Sequence, residues 1–156
     1  YTTYGYPVGE KELMQLLPVI KKHGGLLTVH AESDGITNAL RDALGPQDLQ
    51  PIGQAKTRPN VAEAAAVSRV LAAARACGDA PVYIVHTSAH ESLDQLRLAR
   101  RQGQYHIYSE TCPQYLLLTE EKFRHGGPME GIKYMLAPPL RNIRLAGTSL
   151  FSLAYT

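Results

Sequence analysis

LLTVHAE at residues 26–32 and PVYIVHTS at residues 81–88 decide how this chain is read. Each is a short apolar run that turns polar at its end, and each reaches a histidine there, His30 and His86. Runs of this length bounded by turn residues predict buried strands. Between them VAEAAAVSRVLAAARAC, residues 61–77, is the clearest helix, with Asn60 as its N-cap and Gly78 as its stop. Before the first strand, EKELMQLLPVIKKH (10–23) spaces Leu13, Leu16, Leu17 and Ile20 at helical intervals. Pro18 is expected to kink that helix or end it early, and Gly24-Gly25 stops it. Residues 36–44 predict a short helix, and 45–60, with Pro46, Pro51, Gly53 and Pro59, a loop. After the second strand, ESLDQLRLARRQ (91–102) is helical and QYHIYSE (104–110) is a third strand. Beyond Cys112, Gly126-Gly127-Pro128 and Pro138-Pro139 punctuate a long irregular region.

Three buried strands separated by helices imply an α/β fold with a parallel sheet and right-handed crossovers. The two candidate architectures are an open doubly wound sheet and a stretch of a (β/α)8 barrel. A complete barrel needs about 250 residues, so the 156 residues here would hold only part of one. Sixteen Lys and Arg against fourteen Asp and Glu leave a net charge of +2, which argues against nucleic acid as a partner. No apolar run approaches the roughly 18 residues of a membrane helix, so no membrane partner is expected. The start has no signal-peptide pattern, and two cysteines, Cys77 and Cys112, make no disulfide framework. A cytoplasmic protein is expected, with Cys77 a buried thiol in its alanine-rich helix. Tyr1 already reads as strand, and residues 142–156 contain no acidic residue and no amphipathic period. The expectation is an internal fragment, with a partial catalytic domain over 1–141 and a divergent or truncated tail over 142–156.

Catalytic residues of parallel α/β folds gather at the C-terminal edge of the strands, where His30 and His86 both fall. Alternation along a strand gives His30 the face of Thr28 and Leu26, and His86 the face of Ile84 and Val82. Neighbouring strands lie about 4.8 Å apart, so two neutral imidazoles there can reach one metal ion. One histidine ending a strand is ordinarily a hydrogen-bonded rim residue; two in matched places point to a site. Two ligands still fall short of the usual three protein ligands of a catalytic zinc. His90 and His106 read as structural or surface residues. Tyr4 has a hydroxyl able to donate to a developing oxyanion, against a default of aromatic packing. Glu32 and Glu110 have the chemistry of general bases, but pairing with arginines such as Arg58 is the preferred reading. Gly24-Gly25-Leu26 ends a helix rather than opening one, so it is no phosphate loop.

In order, the chain carries VHAES (29–33), TRPNVAEAAAVSR (57–69), YIVHTS (83–88), SETCPQYLLLT (109–119) and KYMLAPPLR (133–141). Together these blocks resemble the hydantoinase and dihydropyrimidinase family of cyclic amidohydrolases, as far as about residue 141. ETCPQYL followed by KYMLAPPLR carries most of the resemblance, and Gln114 favours the hydantoinase side over allantoinases. The resemblance implies a (β/α)8 barrel of the amidohydrolase superfamily, here from the end of strand four through strand seven. It implies two divalent metal ions, expected to be zinc, at the barrel mouth. His30 matches the ligand ending the fifth strand and His86 the one ending the sixth. Tyr4 matches a tyrosine that contacts the substrate carbonyl. Ala137 matches a position whose backbone bonds the cyclic amide; the family usually has serine there, so a backbone contact would survive and a hydroxyl contact would not. The family's H-x-H pair is absent, its carboxylated lysine would fall two positions before Tyr1, and its proton-shuttling aspartate beyond Thr156. The implied activity is hydrolysis of hydantoins or dihydropyrimidines by attack of a metal-bound hydroxide on a ring carbonyl, in a homotetramer. The fragment alone is expected to be inactive, with open sheet edges and apolar faces around Leu26, Val82 and Ile84 partly exposed. The alternatives are a non-catalytic relative serving as an assembly protein, an allantoinase- or dihydroorotase-type hydrolase, and an open α/β binding domain with two structural histidines.

Overall fold

Helices and strands alternate as α1 (Glu10–Lys22), β1 (Leu27–Val29), α2 (Asp34–Asp42), α3 (Pro51–Thr57), α4 (Asn60–Ala76), β2 (Val82–Ile84), α5 (His90–Arg101), β3 (Ile107–Ser109), α6 (Pro113–Leu117) and α7 (Pro128–Ile132). This is a computed structural model, and it describes residues 8–48 and 50–142. The three strands form one parallel sheet in the order β1-β2-β3. Val29 lies opposite Ile84, and Ile84 opposite Ser109.

The register sorts the side chains into two faces. Val82 (0% exposed), Ile84 (1%) and Ile107 (1%) form one, roofed by the helix layer in a core that also holds Val67, Leu71, Leu93 and Leu96. Thr28, Tyr83 and Tyr108 form the other, and Tyr108 is 46% exposed. The expectation of partial exposure around Val82 and Ile84 is therefore overturned: α4 and α5 cover that face. Only Leu26 of the three residues is open, ahead of β1. Alanine dominates α4, and its small side chains let it pack closely on both α1 and α5.

The prolines behave differently from the sequence reading. Pro18 sits inside α1, which runs on to Lys22. Proline removes the hydrogen bond to the carbonyl four residues earlier, here on Met14, a residue that is 43% exposed. Pro51, Pro113 and Pro128 open α3, α6 and α7. At the first helical position the missing N–H costs nothing and the fixed φ is already helical. The predicted loop over 45–60 and the irregular region after Cys112 therefore contain short helices. Asn60 is the first residue of α4 and Pro59 its cap, whereas Gly78 ends it at φ +73, as expected of that residue. Cys77 is half-buried, its Sγ 3.8 Å from Met14 Sδ, rather than fully buried. Among the described residues no helix is long and apolar enough to cross a membrane. The tail from residue 143 onward lies outside the described residues.

The helical spacing of α1 resolves into an inner and an outer leucine. Leu17 is 0% exposed and Leu16 45%. In chemical denaturation, Leu17→Ala is expected to lower the unfolding free energy by about 2–5 kcal/mol. Leu16→Ala is expected to change it by only about 0.5 kcal/mol. Equal effects would mean that α1 is seated differently.

Candidate metal centre

His30 follows directly on Val29, the last residue of β1; His86 comes two residues after Ile84, the last of β2. With Val29 beside Ile84, strict alternation would aim the two imidazoles at opposite faces of the sheet. His86 instead has a left-handed backbone, φ +40. A non-glycine residue there costs of order 1–3 kcal/mol. The reversal turns His86 away from the helix layer that holds Val82 and Ile84 and toward His30. This corrects the face assigned to His86 by alternation, which applies only while the chain remains extended. The outcome is His30 Nδ1 at 2.9 Å from His86 Nε2, with the rings edge to face at 4.7 Å between centroids.

Behind His30 stands Glu32. His30 Nε2 lies 2.9 Å from Glu32 Oε2, and the same oxygen accepts from Arg58 Nη1. A carboxylate accepts, so His30 donates through Nε2–H, and in a neutral ring the lone pair is then on Nδ1, facing His86. Burial pushes the Glu32 carboxyl upward, but the His30 hydrogen bond and the Arg58 charge outweigh it and hold the group below the usual range. Burial, then the neighbouring His30, lowers the pKa of His86 and favours its neutral form. His86 Nδ1 is buried with no hydrogen-bond partner among the described residues. Two facing imidazole nitrogens, one with its tautomer fixed by a carboxylate, match the donor chemistry of a divalent transition-metal ion. They supply two positions only: among the described residues no three His, Cys, Asp or Glu side chains are grouped to hold an ion.

Tyr4 lies outside the described residues. Ala137 is half-buried, ahead of a cis bond to Pro138. The carbonyls on either side of it are pinned. Gln54 Nε2 donates to Leu136 O at 2.8 Å, and the Tyr115 hydroxyl donates to Pro138 O at 2.7 Å. His90 is exposed at the start of α5. His106 meets Asp79 Oδ2 at 2.9 Å ahead of β3, at the edge remote from His30 and His86. Pairing with an arginine holds for Glu32; Glu110 instead takes a hydrogen bond from a tyrosine. Glu32 is tied to Arg58 and His30, while exposed Glu110 accepts from the Tyr83 hydroxyl at 3.0 Å.

Sequence reasoning missed Glu63, Ser88 and Arg141, all at least 95% buried. Glu63 Oε1 accepts from the backbone N–H groups of Ser88 (3.1 Å) and Ala89 (3.0 Å), capping α5 from outside. Its Oε2 accepts from Arg141 Nη2 at 2.9 Å and from the Ser88 hydroxyl. The available signal was one glutamate among the buried alanines of α4; nothing local named its partner.

No protein-family model matches the chain. A D-phenylhydantoinase of Escherichia coli (strain SE11) is 41% identical over 145 residues, covering 92% of this chain and 31% of that protein. A solved D-hydantoinase superposes with a TM-score of 0.82 at 36% identity, over 89% of this chain and 30% of the other. The D-hydantoinase (dihydropyrimidinase) from Thermus sp. superposes with a TM-score of 0.87 at 29% identity, over 98% and 33%. The chain spans about a third of the length of the relatives it matches. Its parallel sheet and overlying helices match part of the amidohydrolase (β/α)8 barrel, and in sequence and fold the chain is a hydantoinase- and dihydropyrimidinase-like piece of a cyclic amidohydrolase.

Proposed function

We propose that the protein hydrolyses cyclic amides of the hydantoin and dihydropyrimidine class, and that His30 and His86 are ligands to a divalent cation. The observation that carries this is the pair of ring nitrogens facing each other at 2.9 Å, with Glu32 behind one of them. The names of the relatives, D-phenylhydantoinase and D-hydantoinase, support the substrate class. Zinc is the proposed metal, two ions in all, with the family's H-x-H pair, a carboxylated lysine and an aspartate, none of them among these 156 residues, completing the ligand set. Such ions would lower the pKa of a coordinated water and polarise the ring carbonyl.

This chain's own residues bind and orient. His30 presents Nδ1 because Glu32 holds Nε2–H, and Arg58 keeps Glu32 anionic and fixed. His86 presents Nε2. The Tyr4 hydroxyl donates to the carbonyl oxygen as negative charge develops on it. Ala137 aligns the ring amide through its backbone, since it has no hydroxyl to do so. A cytoplasmic homotetramer without nucleic-acid or membrane partners completes the proposal.

In the protein expressed from its whole reading frame, His86→Ala is expected to strip metal and cut hydantoin opening by more than about 100-fold, the upper range for a mere supporting residue. Unfolding should change far less. Unchanged metal content by atomic absorption would refute the assignment. The 156-residue chain alone, loaded with zinc, is expected to open 5,6-dihydrouracil no faster than its His30→Ala/His86→Ala variant, because two neutral ligands cannot balance two divalent ions. Turnover clearly above that variant would show that the ligand count is wrong.

Glu32→Gln keeps an acceptor for His30 but removes the carboxylate charge that Arg58 meets there. It is expected to destabilise by about 3–5 kcal/mol near neutral pH. The Glu32 pKa is lowered on folding, so its stabilisation is present above 4.5 and disappears as pH falls through the lower folded value. Urea titrations at neutral and acid pH should therefore show the gap between variant and parent closing in acid; a constant gap would contradict this.

A further inference from the structure

Arg141 ends the KYMLAPPLR block, four residues after Ala137, and only 5% of it is exposed. Its guanidinium donates from three different nitrogens to three different parts of the fold. Nη2 reaches Glu63 Oε2 on α4 at 2.9 Å, Nε reaches Ser88 Oγ just past β2 at 2.9 Å, and Nη1 reaches the backbone carbonyl of Arg58 at the end of α3. An ion pair with Glu63 needs only the first of these. The other two lead to the candidate metal centre from both sides. Ser88 is two residues beyond His86, on the same short segment that leaves the strand through the left-handed backbone at His86. Arg58 donates to Glu32, and Glu32 holds His30. The contacts close a ring: His86 to His30, Glu32, Arg58, Arg141, Ser88, and back along the main chain to His86.

We propose that Arg141 is a positioning residue, the joint that closes this ring and thereby fixes His30 and His86 relative to each other and to the loop carrying Ala137. The proposal rests on the metal-centre reading above. Three features support positioning over plain stabilisation. His86 has an unfavourable backbone that something must hold in place, and the segment after it is held by Glu63 and Arg141 at Ser88. One of Arg141's three contacts is to main chain, the Arg58 carbonyl, and the other two are to the buried side chains of Ser88 and Glu63. The planar fork matches three separated acceptors at once, which the single ammonium of a lysine cannot span.

The test uses the protein expressed from its whole reading frame. Arg141→Lys keeps a charge for Glu63 but gives up the contacts to Ser88 and the Arg58 carbonyl, so its melting temperature should fall less than that of Arg141→Ala. Zinc affinity, measured by competition with a chromogenic chelator, should weaken about 10–100-fold. The turnover number on hydantoin should fall, and KM should rise because the Ala137 loop loses its tether. Zinc affinity and turnover within about twofold of the parent would overturn the proposal, since outer supports of a metal site cost more than that. If Arg141→Lys does not fold, the pair Glu63→Gln with Arg141→Met removes both buried charges while keeping an acceptor for Ser88 and Ala89. Recovered folding with weak zinc binding supports positioning; recovered folding with parental zinc binding overturns it. His86→Ala serves as the separate control. Parental zinc affinity in that variant brings down the metal-centre reading itself, whereas loss of zinc there with full retention in Arg141→Lys brings down the positioning role alone.

Discussion

The parallel register of β1 on β2, with Val29 beside Ile84, sets where every side chain at the C-terminal edge falls. It aligns the helix-facing residues Val82, Ile84 and Ile107 under α4 and α5, which is where burial stabilises the sheet. It also aims the extended chain at His86 in the wrong direction for meeting His30. Only a break in the strand conformation lets both residues serve one point, and the break is the left-handed His86. Hydrophobic packing therefore dictates the strands, and a local departure from them makes the site. The cost of that departure, of order 1–3 kcal/mol, has to be offset by the surroundings. The surroundings in question are the Glu63 carboxylate and the N–H groups it caps just downstream.

Four charged side chains, Glu32, Arg58, Glu63 and Arg141, stand at or near full burial around this edge. A buried ion pair is a weak source of stability, because desolvation consumes much of the Coulombic gain, and apolar replacements often do as well. The α4–α5 layer has ample apolar material to fill such a space. What apolar side chains cannot provide is direction. Glu32 selects the tautomer of His30, and Arg141 ties the Arg58 carbonyl to the Ser88 hydroxyl. These are functions of hydrogen-bond geometry rather than of burial energy.

Legibility in the sequence followed the range of the interaction. The three strands, α1, α4 and α5 were readable because periodicity and end signals are local, and Gly78 stopped α4 where its type predicts. His30 and His86 were readable as a pair because both end apolar runs. The short helix predicted over 36–44 was also readable and is α2, Asp34–Asp42; α3, α6 and α7 were not, since proline signals a break and a helix start with the same residue, and Pro51, Pro113 and Pro128 could be sorted only by what followed in space. The face of His86 was misread because one torsion reverses it. Glu63 and Arg141 are 78 residues apart, and no local pattern joins them. Tyr4 remains a reading of the sequence, outside the described residues.

The alanine at position 137 is easiest to understand through the loop that holds it. A side-chain contact tolerates some backbone play because the rotamer adapts; a backbone contact does not. If Ala137 serves through its main chain, its neighbours must be fixed independently of it. Gln54 holds the Leu136 carbonyl and Tyr115 the Pro138 carbonyl, while Arg141 anchors the end of the same loop. No hydrogen bond among the described residues uses the amide or carbonyl of Ala137 itself. The supports are thus arranged around a main-chain position left available, and that arrangement does not depend on which small side chain occupies it. On the proposed reading of Ala137, alanine at this position removes a hydroxyl from the loop while its backbone keeps the supports at Leu136 and Pro138.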